Sequence, residues 1–573
     1  MTRSKDWLMI LWFAGTMVTA AASWADEGLL LDFAASRRAF VRMEADASTR
    51  IMLHNTLAQV VDDVRVQVEL AQTLQTFALG QLAPGAQAMV RLEVDARLRP
   101  DDYPMVVHVS GQVAGQPVGI DTARTIVITA RPIERMPVLM WGGGDAETLN
   151  DIGFTHKLIW LQDYGRVWDA GAPTQAVAED KLAEPGEMLD DLLARGLGGA
   201  VYLYPGRWVG RTEGVRETFD RVDRQGVARG RENTCATFPE VQAYAYNIGA
   251  SVAQTFGHYP ALQASLVHSE IRDATDLCFH DHDRAAYRDF AGVDIPELAT
   301  SKSGVRRASL SAFPADRVVP DDDALLQFYR WFWKQGDGWN RLHTQVHEGL
   351  KSTGREDLWT FFDPAVRVPS LWGSGGDVDV LSQWTYSYPD PIKMGQATDE
   401  LFAMAAGRPG QQVMKMTQII WYRSQTAPEL PADESTWADW ERELPEARFI
   451  TISPDHLREA LWVKLSRPIR GIMYHGWGSL VPSETGSYQF THPGTRPALT
   501  QLLRDVVQPL GTNTAARRAG STHEDRRVGE FCRPDFCQPG DTGLECILGG
   551  GCASGPAVRP AAATNPVRRD GDS

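Results

Sequence analysis

The chain has 573 residues, more than one hydrophobic core usually supports, so at least two domains are expected. It is 43% hydrophobic and 23% charged, which excludes wholesale disorder. A net charge of −16 argues against a nucleic-acid binder, which would need a basic stripe.

At the start, Arg3 and Lys5 precede the apolar run Trp7–Met17, and small residues around Ser23 and Ala25 lead to Asp26-Glu27. This is the pattern of a signal peptide over residues 1–25. The run is too short for a transmembrane helix, so the mature chain is expected to have no membrane span and to be secreted or periplasmic. Export permits disulfides. The six cysteines suggest one bridge, Cys235–Cys278, and two more among Cys532, Cys537, Cys546 and Cys552.

Residues 26–132 read as strands. Arg50–His54 is short, Val64–Leu70 alternates strictly, and Leu79–Gly85 is a turn. Met89–Val94, Met105–Val109 and Thr125–Thr129 follow, which predicts a β-sandwich. It resembles the immunoglobulin-like modules appended to many secreted glycosidases. It serves as a spacer or binds glycan.

Over residues 133–514 short apolar runs alternate with helical stretches. Eight candidate strands stand out: Pro137–Trp141, His156–Leu161, Ala200–Tyr204, Ala264–His268, Trp359–Phe362, Leu381–Trp384, Met414–Trp421 and Gly471–Tyr474. Helices are expected over Pro239–Gly257 and Asp322–Trp333. The fold class predicted is therefore multidomain, an N-terminal β-sandwich followed by a (β/α)8 TIM-type barrel. Gly142-Gly143-Gly144 lacks the spacing of a dinucleotide site and reads as a tight turn, and no cofactor is expected. Residues 515–573 are rich in Arg, Gly and Pro and read as a largely disordered, Cys-containing tail.

Barrel chemistry gathers at the carboxyl ends of the strands. The fourth strand delivers Ser269, Glu270, Arg272 and Asp273 there, and the fifth delivers Asp363. Asp377 and Asp379 are further acidic candidates. Aromatic and polar groups fall at the other ends: Trp141, Trp160, Arg207, Trp208, Trp384, Tyr386, Trp421, Tyr422, His475 and Trp477. Aromatic planes with interspersed hydrogen-bonding groups are what a sugar subsite requires, so a carbohydrate is the expected partner. A single Trp is more often packing than platform.

The stretch Ser269-Glu270, then Cys278-Phe279-His280, Tyr287-Arg288-Asp289-Phe290 and Phe328-Tyr329-Arg330-Trp331-Phe332 resembles family 42 β-galactosidases and their relatives. The resemblance implies a (β/α)8 barrel and a retaining glycosidase with Glu270 as its acid/base. This chain departs from the family in three ways. Ser269 stands where Asn is usual. The loop after the fourth strand is Cys-x-His-x-His rather than a cysteine cluster, so no metal is expected there. The seventh strand ends Gln418-Ile419-Ile420-Trp421-Tyr422-Arg423, with no acid for a nucleophile.

The reading is therefore a secreted glycoside hydrolase with Glu270 and Asp363 as catalytic residues. The substrate-binding set is Trp141, Arg207, Trp208, Ser269, Arg272, Asp273, Asp379, Trp384, Tyr386, Trp421, Tyr422, His475 and Trp477. The rivals are an inactive glycan-binding protein on a degenerate barrel and a metal-dependent hydrolase or deacetylase using His280-Asp281-His282-Asp283.

Overall fold

The computed structural model describes residues 28–511, except 34–35, 132–133, 231, 271–274, 303–319, 365–374, 386–389, 423–429, 444–448 and 482–492. Residues 1–27, which include the expected signal peptide, and the tail with its four cysteines lie outside the described residues, as do Arg272, Asp273 and Tyr386.

The N-terminal unit has two sheets. Strands β1 (Leu29–Asp32), β3 (Ser48–Asn55) and β6 (Gln87–Glu93) form one, in the order β1-β3-β6. Strands β2 (Ala39–Val41), β4 (Val61–Leu70), β5 (Thr73–Leu82), β7 (Asp101–Val113) and β8 (Gln116–Thr129) form the other, in the order β2-β8-β7-β4-β5. The strict alternation over Val64–Leu70 has its physical consequence here: Val64, Val66, Val68 and Leu70 are buried while Arg65, Gln67 and Glu69 face solvent. Those valines join Ile51, Leu53, Val90 and Leu92 of the other sheet in one hydrophobic cluster. The turn expected over Leu79–Gly85 lies mostly inside β5. The chain reverses only after Leu82, because Thr73–Leu82 pairs antiparallel along β4. Ala114 and Gly115 both take positive φ (50° and 81°) and close the long β7–β8 hairpin tightly.

The eight barrel strands are β9 (Val138–Trp141), β10 (His156–Ile159), β11 (Gly198–Leu203), β12 (Leu262–Ser269), β13 (Trp359–Asp363), β14 (Val380–Thr385), β15 (Gln412–Gln418) and β18 (Gly471–His475). All neighbours are parallel, and β18 pairs with β9 to close the ring. Each coincides with an expected strand to within a few residues. The seventh differs most: pairing with β18 ends at Gln418, and Ile420–Tyr422 turns away as β16 to pair antiparallel with β17 (Phe449–Thr451). Leu139, Leu158, Ala200, Tyr202, Ala264, Leu266, Trp359, Phe361, Val380, Met414, Met416 and Met473 fill the interior, so the barrel is a packed core rather than a pore.

The helix expected over Pro239–Gly257 spans Pro239–Phe256, with Pro at its first turn. It packs against the helix Trp339–Lys351 at a glycine crossing. A Cβ on Gly249 would lie 2.4 Å from the carbonyl oxygen of Val346, and one on Gly349 would lie 2.3 Å from that of Tyr246. The other expected helix is shorter, Ala324–Trp331. Asp323 caps it by accepting from the Leu325 and Leu326 amides, and a wider turn over Phe332–Gly336 ends the run. Gly338, at φ 74°, starts the next helix, and buried Asp337 accepts from the Trp339 amide, so this turn is structural.

The sheet unit meets the barrel through Asp190 on the helix Ala183–Ala194. Its carboxylate accepts from the Arg38 and Ala39 amides at 2.7 and 3.2 Å, and burial pushes its pKa up to about 6. Among the described residues, no helix is long and apolar enough to cross a membrane.

Candidate active site at the carboxyl end of the barrel

The last turn of β12 is irregular. Its register with β13 shifts between Leu266 and Ser269, so that Ser269 pairs with Asp363. His268 and Glu270 both take left-handed φ values (58° and 57°), which cost a non-glycine residue about 1 kcal/mol or more each. The shift turns His268 outward, where its Nε2 accepts from the Gly206 amide at 3.0 Å and its ring sits against Trp339 and His343. Ser269 thereby points to Asp363, and the Glu270 amide donates to the Asp363 carbonyl at 3.0 Å. Bulges and strained residues recur where a strand must re-aim a side chain, and here they bring the two sequence-predicted carboxylates together.

Asp363 is fully buried, and its Oδ2 accepts from Ser269 Oγ at 3.0 Å. Burial first, then the charge of Glu270, raises its pKa from 3.8 to about 7, while the Ser269 hydrogen bond and Lys415 act in the opposite sense. Glu270 itself is half-buried. Arg207, on the short helix Pro205–Val209 after β11, donates from Nη2 to the Ser269 carbonyl at 3.0 Å and brings a positive charge to the same corner.

Around this pair, Trp141 (end of β9) packs 5.7 Å from Tyr202 and 6.5 Å from His475 (end of β18). Burial holds His475 neutral, lowering its pKa to about 4. Trp384, near the end of β14, packs against the barrel interior. Trp477 sits on the Gly142-Gly143-Gly144 turn, where a Cβ on Gly143 would come within 2.7 Å of its indole.

Two expected site residues lie elsewhere. Asp379 precedes β14, at the amino end of the barrel. There it accepts from the Thr360 amide at 2.8 Å and lies 3.8 Å from Lys351, while Asp377 pairs with Arg408. Trp208 packs between Tyr164, Trp168 and Tyr244 on the helix side, as part of the outer core. Trp421 and Tyr422 belong to β16, and only their backbone is described.

The expected bridge Cys235–Cys278 is absent: both are free, buried thiols. The two thiols lie in hydrogen-bond contact with each other, and each also meets polar neighbours. Cys235 Sγ lies 3.0 Å from Thr237 Oγ1 and 3.5 Å from Asp283 Oδ2, and Cys278 Sγ lies 3.0 Å from His280 Nδ1. Around the start of the helix Asp281–Ala291, side chains that could bind a metal come together. Cys235, His280, His282 and Asp283 place four ligand atoms within 4.8 Å of one another. Cys235 joins this group from a position distant in sequence. Donor separations of 3.5–3.7 Å resemble the roughly 3.5 Å edge of a tetrahedral Cys/His zinc site, and this mixed donor set suits zinc. Phe238 packs edge-on against the stacked His280 and His282 rings, and His282 is exposed at the edge of the cluster.

No protein-family model and no curated protein matches the chain. Among solved structures, a β-D-glucuronidase from Dictyoglomus thermophilum is 8% identical, covering 84% of this chain and 68% of its own, with a TM-score of 0.36. A β-galactosidase from Rahnella sp. R3 is 13% identical over 66% of this chain and 58% of its own, with a TM-score of 0.41. Bacteroides uniformis β-glucuronidase 2 is 10% identical over 78% and 45%, with a TM-score of 0.34. This chain thus spans less than two thirds of the latter two. Likenesses this slight carry no argument for function, and the barrel rests on its own strand pairing.

Proposed function

We propose that the chain is a glycoside hydrolase that cleaves O-glycosidic bonds of an oligo- or polysaccharide with Glu270 and Asp363 as its carboxylates. The observation that carries this reading is the asymmetry of the pair. Asp363, buried beside the charge of Glu270, is pushed up to about 7, so near neutral pH it keeps a proton that an ordinary carboxyl group would have lost. Glycoside cleavage needs one protonated and one ionised carboxyl group, set apart by their surroundings. Asp363 then supplies the proton to the departing oxygen, and Glu270 supplies the negative charge that meets the developing oxocarbenium ion. This reverses the acid/base role that the family resemblance implies for Glu270. Trp141, Trp384 and His475 form the wall against which a sugar ring would lie.

The test is turnover of 4-nitrophenyl and 2,4-dinitrophenyl glycosides. Glu270→Gln should lose turnover of both by at least about 100-fold. Asp363→Asn should lose it with the poorer leaving group and largely keep it with the better, which departs without a proton. Equal turnover by wild type and Glu270→Gln overturns the proposal.

One observation favours a second reading, an inactive glycan-binding protein. Barrel strand β15 ends at Gln418, where the family resemblance calls for an acid. Sugar binding without turnover across the same panel would select it. We read the N-terminal sheets as an immunoglobulin-like β-sandwich spacer and the leader as an export signal. A mature N-terminus at residue 26, found by sequencing the exported protein, would support the latter.

A further inference from the structure

Tyr202 stands apart from the other aromatic residues of the barrel mouth. It lies on β11 and points inward, and only 7% of it is exposed. Its neighbours are rings: Trp141 at 5.7 Å, Tyr204 at 4.9 Å and Trp160 at 6.4 Å. A buried tyrosine nearly always spends its hydroxyl on a hydrogen bond. The Tyr202 hydroxyl is buried and has no partner among the described residues. Arg207, Asp363 and Glu270 all act on it electrostatically, so it faces the carboxylate pair rather than the helix layer. Trp160, just past the end of β10 and packed edge-on to Tyr202, is 50% exposed, an unusual degree for an indole. An unspent donor beside an open aromatic face is the complement of a pyranose, which offers oxygen acceptors on its rim and C–H groups on its faces.

We propose that Tyr202 and Trp160 form a sugar subsite on the β10–β11 side of the mouth. The Tyr202 hydroxyl donates to a sugar oxygen, and the exposed face of Trp160 takes the C–H face of the ring. The phenol keeps its proton throughout, so it orients the substrate and takes no part in proton transfer. This rests on the glycosidase reading for its substrate class.

The experiment compares wild type with Tyr202→Phe, Trp160→Ala and, as a control for loss of an exposed indole, Trp462→Ala on an outer helix. The readouts are KM and kcat on the 4-nitrophenyl glycoside that wild type turns over, Kd for the free sugar by calorimetry, and Tm. Tyr202→Phe is expected to raise KM and Kd about tenfold with kcat within about threefold and Tm no lower than wild type. Trp160→Ala should behave alike, and Trp462→Ala should match wild type. KM and Kd within about twofold of wild type in both subsite variants overturn the proposal. So does a Tm drop in Tyr202→Phe, which would mean that the hydroxyl supports the fold. A similar loss in Trp462→Ala also overturns it. If wild type binds sugar without turnover, the Kd arm still decides the subsite while the glycosidase reading falls. If it neither binds nor turns over any sugar, both fall.

Discussion

Ser269 and Asp363 are register partners on adjacent barrel strands, and the Ser269 hydroxyl donates to the Asp363 carboxylate at 3.0 Å in a fully buried setting. That bond favours the ionised form and restrains the rise that burial and Glu270 impose. Ser269→Ala should therefore raise the Asp363 pKa further. If Asp363 is the acid, the alkaline limb of the kcat/KM profile should move to higher pH, by up to about one unit. An unshifted limb would detach Asp363 from the proton that the reaction uses.

Asp363 also ties stability to pH. Its folded pKa is about 7, against about 3.9 when unfolded, so the folded state holds the proton more tightly. The stabilising contribution is complete below about pH 4 and is lost progressively as pH rises to about 7. Asp363→Asn has no such loss. Urea midpoints of wild type and variant, followed from pH 4.5 to 8, should diverge in the variant's favour. Parallel curves would mean that Asp363 is not buried as described.

The Cys235, His280, His282 and Asp283 cluster predicts about one zinc per chain in purified protein. A strong chelator should lower Tm while leaving the Glu270–Asp363 chemistry intact at temperatures where the fold survives. Cys235→Ser should abolish metal content. Metal-free protein with unchanged Tm would reduce the cluster to a set of hydrogen bonds.

The glycine crossing of Pro239–Phe256 and Trp339–Lys351 has no room for a side chain. Gly349→Val should cost at least about 3 kcal/mol, because the branch meets backbone atoms rather than a yielding side chain. Gly354→Ala offers a contrast. No atom would crowd its Cβ, but its φ of 82° should still cost about 1 kcal/mol. Chemical denaturation of both measures the difference.

The barrel strands were legible because each is a short apolar run flanked by turn residues, whatever its partner. The pairing of Glu270 with Asp363 was legible only as two strand ends. The left-handed turns at His268 and Glu270 that bring them together leave no mark in a sequence that carries no glycine there. Asp379 misled because it precedes β14, which places it at the opposite end of the barrel. Trp208 misled because a tryptophan one turn past a strand can face either the mouth or the helix layer. Cys235 could not be assigned its neighbours, since the loop bearing Cys278 and His280 joins it only once the helix Pro239–Phe256 and strand β12 are in place.

The seam between β9 and β18 pairs Val138 with Ile472 and joins the first barrel strand to the last. On the ribosome, the edge of β9 thus waits for nearly the whole barrel to be synthesised before it finds its partner. Until then an apolar strand edge stands open, the condition under which nascent chains misassociate. A chain truncated before Gly471 should therefore be recovered as aggregate rather than as a smaller folded protein.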